Sequence, residues 1–184
     1  MARADQVPGI RPRPTFARRL DIAARHAFPV SCTLILMLLT ETPLGIVDQP
    51  ELLPAVTLAC VYFWSLFRPA AMPPPVVFLI GVVLDLLGYL PLGVGALTLL
   101  AVHGFAVRWR LVLTRQSFVT VWLMFGGFAA AAAALTWVLT AVLYFRLLPL
   151  GPAVFQAVLT TALYPALAVL FVRAHRSVAD PEGA

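Results

Sequence analysis

The chain has 184 residues, of which 61% are hydrophobic and only 11% are charged. A soluble domain of this size carries about 25% charged residues, so the composition excludes an ordinary water-soluble globule and predicts an integral membrane protein. The 13 basic residues are all arginines and give a net charge of +5, but they are scattered between apolar runs, which argues against nucleic-acid binding.

Six apolar stretches approach the roughly 20 residues of helix that cross a bilayer core. In chain order they cover about residues 25–40, 52–67, 74–89, 92–107, 118–144 and 152–172. The first follows a basic segment, as the apolar part of a signal peptide would. However, residues 39–44 (LTETPL) contain no small-x-small cleavage site, which favours a retained anchor. The sequence therefore predicts an all-α integral membrane protein with six transmembrane helices.

The arginines predict the orientation of these helices. With both termini in the cytoplasm, twelve of the 13 arginines fall on the cytoplasmic side and only Arg146 falls outside. The cytoplasmic loops then carry Arg68, Arg108, Arg110 and Arg115. We expect residues 1–24 to form a disordered arginine- and proline-rich cytoplasmic tail leading into an interfacial segment. Residues 25–173 form one membrane domain, and residues 174–184 form a short cytoplasmic tail.

Asp85 is a carboxylate inside the apolar stretch 76–87. A carboxylate in lipid costs roughly 2.5–3.5 kcal/mol on insertion scales, so it needs a partner or an aqueous edge. The sixteen-residue third stretch makes about 24 Å of helix, which is shorter than the bilayer core. The turn 88–93 is therefore predicted to lie deep at the outer edge, where its N–H groups could donate to Asp85. The alternative is a direct role of Asp85 in transport or proton relay.

Small residues predict where helices pack closely. Gly81, Asp85 and Gly88 have the i, i+4, i+7 spacing of one helix face, which lets a neighbouring backbone approach. The fifth stretch has a row at spacing four: Gly126, Ala130 and Ala134. This row could pack within the bundle, receive a helix of another protein, or support a homo-oligomer.

The sixth stretch contains Pro165, whose ring removes a backbone donor and predicts a kink. The carbonyl of Thr161 loses its helical partner there. We expect the hydroxyls of Thr160 and Thr161 to compensate it in part.

The sequence offers no recognisable catalytic or metal site. No histidines, cysteines or carboxylates have metal-ligand spacing, and there is neither a phosphate-binding loop nor a nucleophile elbow. A single buried carboxylate without a matched histidine or second carboxylate cannot be assigned acid–base chemistry. We therefore expect a protein that is not an enzyme and that binds no cofactor or metal.

The order of motifs resembles a known family. An aromatic-rich segment VYFWSLFRP (61–69) is followed by G-x-x-x-D-L at residues 81–86 and by Leu92-Gly93, and the chain ends its sixth stretch after Tyr164-Pro165. Over residues 52–173 this pattern resembles the rod-shape-determining MreD family. The long N-terminal tail and the triple proline at 73–75 depart from that pattern.

The resemblance implies a non-catalytic component of the bacterial cell-elongation complex in the inner membrane. Such a protein docks the transmembrane helix of MreC and helps couple MreB filaments to the peptidoglycan synthases, RodA and its class B penicillin-binding partner, thereby controlling cell shape. Its arginine-rich loops would meet cytoplasmic partners or anionic membrane lipids.

The family architecture is also similar to the substrate-binding subunits of energy-coupling-factor vitamin transporters, which have six spans. That alternative function requires a polar pocket at the outer side. The groups that the sequence offers for such a pocket are Glu41, Asp48, Glu51, Asp85, Tyr89 and Arg146.

Overall fold

The computed structural model describes residues 16–42, 51–88 and 90–179, and within them the side chains of residues 27–173. The described residues form six α-helices and contain no strand. The helices are α1 Phe16–Glu41, α2 Leu52–Phe67, α3 Pro74–Leu87, α4 Val94–Leu113, α5 Phe118–Tyr144 and α6 Gly151–Ala179, with a 3₁₀ turn at Pro69–Ala71 between α2 and α3. The predicted bounds 52–67 and 118–144 are confirmed.

The first helix begins well before the predicted boundary. α1 starts at Phe16 instead of near residue 25, so residues 16–24, which were expected to lead into an interfacial segment, belong to the first helix. Residues 1–15, the rest of the predicted tail, lie outside the described part of the chain. At the other end α6 continues to Ala179, so most of the predicted C-terminal tail is also helical.

The fourth helix continues beyond its apolar stretch. α4 runs to Leu113, which places Arg108 and Arg110 on the helix and leaves only Arg115 in the turn that follows. The prediction that all three lie in a loop was wrong. Arginine is a good helix former, and its long stem can keep the guanidinium in a polar environment while the backbone stays helical.

α2 forms the centre of the bundle. Every residue from Ala55 to Leu66 is buried, and the helix packs against α1, α3, α4 and α6. A helix that is apolar on all sides is stable only when it is surrounded, which explains the uniform hydrophobicity of this segment. Aromatic rings fill the space around it: Tyr62 packs against Phe125 and Tyr164, with ring centroids 4.9 and 5.7 Å away.

The surrounding helices expose large apolar side chains. Leu123 is 66% exposed, Phe105 60% and Val158 63%, and similar residues cover the outer faces of α1, α3, α4, α5 and α6. Three helices are long and apolar enough to cross a membrane, namely α4, α5 and the part of α6 up to Arg173. Three shorter apolar helices accompany them. These features are consistent with a membrane protein.

Candidate functional site

The carboxylate of Asp85 joins the end of α3 to the start of α4. The side chain is 1% exposed and accepts three backbone hydrogen bonds. Its Oδ1 accepts from Gly95 N at 2.7 Å, and its Oδ2 accepts from Gly93 N at 2.8 Å and from Ala96 N at 3.4 Å. The predicted hydrogen bonding from the turn is therefore confirmed for one donor, Gly93. The hydrogen bonds continue into the first turn of α4, which the sequence reading did not anticipate.

This arrangement is a helix cap supplied from another helix. The residue before a helix normally caps it with a side-chain oxygen that accepts from the second or third helical N–H group. Here that residue is Gly93, which has no side chain and adopts a φ of 99° that favours glycine. Asp85 takes over the function, and its negative charge lies at the positive end of the α4 dipole. We call the contact between Asp85, Gly81 and the first turn of α4 the α3–α4 joint.

Glycines make the joint possible because they let the two backbones approach. A Cβ atom on Gly81 would collide with the backbone of Ala96, and a Cβ atom on Gly95 would collide with the carboxylate of Asp85. The predicted close approach at Gly81 is thus confirmed, and Gly95 is an additional requirement. Gly88 instead ends α3, and a Cβ there would lie 3.0 Å from the carbonyl oxygen of Leu84.

The small-residue row of α5 divides into two parts. Gly126 faces α6, since a Cβ on it would lie 3.1 Å from Cγ2 of Thr161. Ala130 and Ala134 are exposed. The side of α5 that is buried carries Phe125, Ala129, Ala132 and Ala133 instead. Past Gly126 the row does not pack inside the described bundle and is open to another helix.

The carbonyl group opposite Pro165 is satisfied by a residue that the sequence reading did not select. Trp122 of α5 donates its indole Nε1–H to the carbonyl oxygen of Thr161 at 2.8 Å. The hydroxyls of Thr160 and Thr161 donate to Gln156 and Ala157 instead. The predicted compensation by these two hydroxyls was therefore wrong, because each is used one turn earlier in its own helix. α6 runs through Pro165 as one continuous helix.

A cavity of about 260 Å³ lies between α2, α4, α5 and α6. Its wall includes the starts of α2, α4 and α6, the end of α5, and part of the α5–α6 connection around Leu148 and Pro149. These four helix ends thus share one side of the bundle, which we call the cavity end. The C-terminal ends of α2 and α4, with Arg68, Arg108 and Arg110, lie at the opposite end of these helices.

The cavity wall is mostly apolar but carries several polar groups. Thr98 of α4 and Thr136 of α5 lie 3.2 Å apart through their hydroxyls, and Trp137 donates to the carbonyl of Leu148 at 3.1 Å. Two further polar atoms, Thr140 Oγ1 and Gln156 Oε1, are buried and have no hydrogen-bond partner within the described structure. Such atoms are uncommon in folded proteins, so each of the two needs an explanation, of which a bound water or ligand is one.

Of the four expected pocket groups that the structure describes, one lies at this cavity. Glu51 lines it, whereas Glu41 and Arg146 are exposed elsewhere and Asp85 is committed to the α3–α4 joint. Asp48 and Tyr89 lie outside the described residues. The groups that line the cavity and that the sequence reading did not assign to it are Thr98, Thr136, Trp137, Thr140, Gln156 and Thr160. Thr98 lies on α4 and the other five lie on α5 or α6, so no single segment of the sequence marks them as a group.

Among the described residues, no three histidine, cysteine or carboxylate side chains are close enough to hold a metal ion. His103 is instead paired with Ser65 across α2 and α4, at 2.8 Å through Nδ1. Comparisons of the chain with protein-family models, with curated proteins and with solved structures found no match.

Proposed function

We propose that this protein is a non-catalytic component of the bacterial cell-elongation complex, similar to the MreD family, that docks helices of partner proteins in the inner membrane. The observation that carries the proposal is that the carboxylate of Asp85 is fully occupied by hydrogen bonds. Both carboxylate oxygens already accept hydrogen bonds from backbone N–H groups. A carboxylate held in this way stabilises a rigid joint, which is what a scaffold requires, and is poorly suited to shuttling protons.

In this proposal all six helices lie in the bilayer and both termini are cytoplasmic. The arginines support that orientation, because Arg68, Arg108, Arg110 and Arg115 gather at the end opposite the cavity. The cavity end would then face the periplasm, and the turn after α3 would lie deep on that side. α3 has only 14 residues, or about 21 Å of helix, which is short of the roughly 30 Å core.

The proposed docking surface is the exposed part of the α5 row, Ala130 and Ala134. Small side chains let a partner helix approach closely, and close packing is the main source of helix association in lipid. A helix with this surface could hold the single transmembrane helix of an MreC-type partner. RodA, its class B penicillin-binding partner and MreB would then be reached through that complex, and a second copy of this chain would compete for the same surface.

The test is a pull-down from native membranes in mild detergent, with bound proteins identified by mass spectrometry. The wild-type chain should recover MreC and the rod-system synthases. Ala130→Leu and Ala134→Leu should lower that recovery several-fold. Ala162→Leu is the matched control, because Ala162 is an exposed alanine on α6. Failure of the wild-type chain to recover any of these partners would contradict the proposed function, and equal recovery by all variants would exclude this surface.

A second candidate function is the substrate-binding subunit of an energy-coupling-factor-type vitamin transporter. The cavity near the end proposed to face outward favours it. In that case the same pull-down would recover a coupling ATPase and its membrane subunit instead of the rod-system proteins.

A further inference from the structure

We propose that the cavity between α2, α4, α5 and α6 binds an uncharged amphipathic molecule with an apolar body and at least one hydrogen-bond donor. Ligand sites in proteins are typically concave, mostly apolar, and provided with a few convergent polar groups. The cavity has this character, and its volume of about 260 Å³ lies close to the lower end for small-molecule sites. This inference is independent of partner docking, which involves the outer face of α5.

The hydrogen bonds of Gln156 and Thr160 show why the occupant should carry a hydrogen-bond donor. Thr160 donates its hydroxyl hydrogen to the carbonyl of Gln156 at 2.6 Å, so its oxygen can only accept a further bond. The amide Nε2 of Gln156 donates to that oxygen at 3.2 Å. The orientation of the amide is thereby fixed, and Oε1 remains a buried acceptor that has no partner in the described part of the chain. A hydroxyl, amide or ring N–H group on the occupant would satisfy it after a rotation of the Gln156 side chain that brings this buried oxygen to the cavity surface.

A second polar atom lies on the opposite helix. Thr140 Oγ1 of α5 is also buried and without a partner among the described residues, and it can donate or accept. Gln156 and Thr140 both line the cavity, together with apolar residues such as Leu58, Leu99 and Ala133. Water alone would satisfy the polar atoms and leave the apolar wall wet, whereas an amphipathic molecule satisfies both.

The charge of the wall excludes an anion. Among the described residues that line the cavity there is no arginine or histidine, and the one charged residue is the acid Glu51. A phosphate or carboxylate placed there would lose its hydration without gaining a cationic partner. The class that fits is therefore neutral. It could be drawn from the membrane, as an alcohol or a neutral lipid would be, or from the aqueous side.

Trp137 lines the cavity and provides a reporter. The probe is 3-bromobenzyl alcohol, whose bromine quenches tryptophan fluorescence on contact and whose hydroxyl can donate to Gln156. The full-length protein in detergent should show saturable quenching. That component should disappear in Trp137→Phe, which removes the reporter. Quenching that rises linearly with probe and is unchanged in Trp137→Phe would show partition into micelles and overturn the proposal.

Variants and related probes test the chemistry. Gln156→Leu and Thr140→Val should each weaken binding of the alcohol, by about tenfold for the loss of one hydrogen bond. Thr114→Val is the matched control, because Thr114 is exposed in the turn after α4, and it should leave binding unchanged. 3-Bromotoluene should bind less tightly than the alcohol. Equal binding of the alcohol by wild type and Gln156→Leu, or tighter binding of 3-bromobenzoate or 3-bromobenzylamine, would overturn the assigned chemical class.

The source of the natural occupant is decided by solvent extraction of protein purified from native membranes. A neutral lipid in the extract that is absent from extracts of Ala133→Leu, which narrows the cavity, would assign the membrane as the source. Protein that yields no such lipid but binds the probe saturably would assign the aqueous side. Failure of partner recovery in the pull-down would leave these results unaffected, so the two proposals can fail separately.

Discussion

The α3–α4 joint and the cavity are adjacent, since Leu84 and Gly95 line the cavity and both belong to the helices that the joint connects. They differ in whether their buried polar groups have hydrogen-bond partners. In the joint, the carboxylate of Asp85 has three donors and the backbones of α3 and α4 are in contact. In the cavity, two buried polar atoms have no partner within the described residues and space remains between the helices. The joint is thus a tightly bonded part of the cavity wall, whereas the cavity itself is an unfilled space beside it.

We therefore expect that substitutions in the joint affect the cavity, but that substitutions in the cavity do not affect the joint. Loss of the joint should disturb the cavity, because one wall depends on it. Changes to the polar groups of the cavity should leave the joint intact. The following variants test this asymmetry through the free energy of unfolding, measured by titration with sodium dodecyl sulfate in mixed micelles and followed by circular dichroism.

Asp85→Ala should have the largest effect, because it leaves buried N–H groups of Gly95 and Ala96 without an acceptor. Each unsatisfied donor costs about 1–3 kcal/mol, so a loss of about 3 kcal/mol or more is expected, together with loss of probe binding in the cavity. Asp85→Asn keeps one acceptor oxygen and should fall between alanine and the wild type. An alanine variant as stable as the wild-type protein would show that the joint contributes nothing.

Gly81→Ala should destabilise the protein by about 1–3 kcal/mol, because its Cβ would meet the backbone of Ala96, which cannot move independently of α4. Gly127→Ala is the matched control. A Cβ there would meet no atom within 4 Å, so this variant should gain up to about 1 kcal/mol from helix propensity. Similar effects of the two substitutions would contradict the close approach of α3 and α4.

Trp122→Phe should cost about 1 kcal/mol, because the carbonyl of Thr161 would lose its donor. The effect should depend on Pro165. In Pro165→Ala the new backbone N–H can donate to Thr161, so removing the indole should matter less. A double-mutant cycle measures this coupling, and additive effects of the two changes would show that the indole bond does not replace the missing helical one.

Thr140→Val should have the smallest effect, within about 0.5 kcal/mol of the wild type, because the hydroxyl that it removes has no partner to lose among the described residues. Thr98→Val makes the same substitution on a hydroxyl paired with Thr136 and should cost about 1 kcal/mol. If the two variants were equally destabilised, Thr140 would have a structural partner and the contrast between joint and cavity would fail.

Much of the fold could be predicted from the sequence because apolar runs, and the polar, proline and glycine residues that separate them, are local signals. The bounds of α2 and α5 were predicted from hydrophobicity alone. Asp85 was selected because a carboxylate in an apolar run is costly, and Gly81 because a glycine on the same helix face lets another backbone approach. The end of α4 was predicted too early, because Arg108 and Arg110 were assigned to a loop although arginine can continue a helix. The apolar run of α1 also gave no sign that the helix starts at Phe16.

Other features depend on which helices meet. Gly95 is one glycine among several in the sequence, and only the position of Asp85 against it shows that a side chain there would collide. Trp122 and Thr161 are 39 residues apart, and their hydrogen bond requires α5 and α6 to pack side by side. The cavity likewise has no continuous sequence pattern, because its wall comes from five helices.

The sequence by itself determined that this chain is helical, apolar and suited to lipid, because composition and periodicity act within single segments. It also determined that Asp85 must have a partner, because a lone carboxylate in an apolar environment is costly. Only the tertiary structure decided that the partners are the amides of α4, that Ala130 and Ala134 face outward, and that Thr140 and Gln156 line a cavity. Those outcomes depend on how the helices are rotated and placed against one another, and contacts between distant segments set that arrangement.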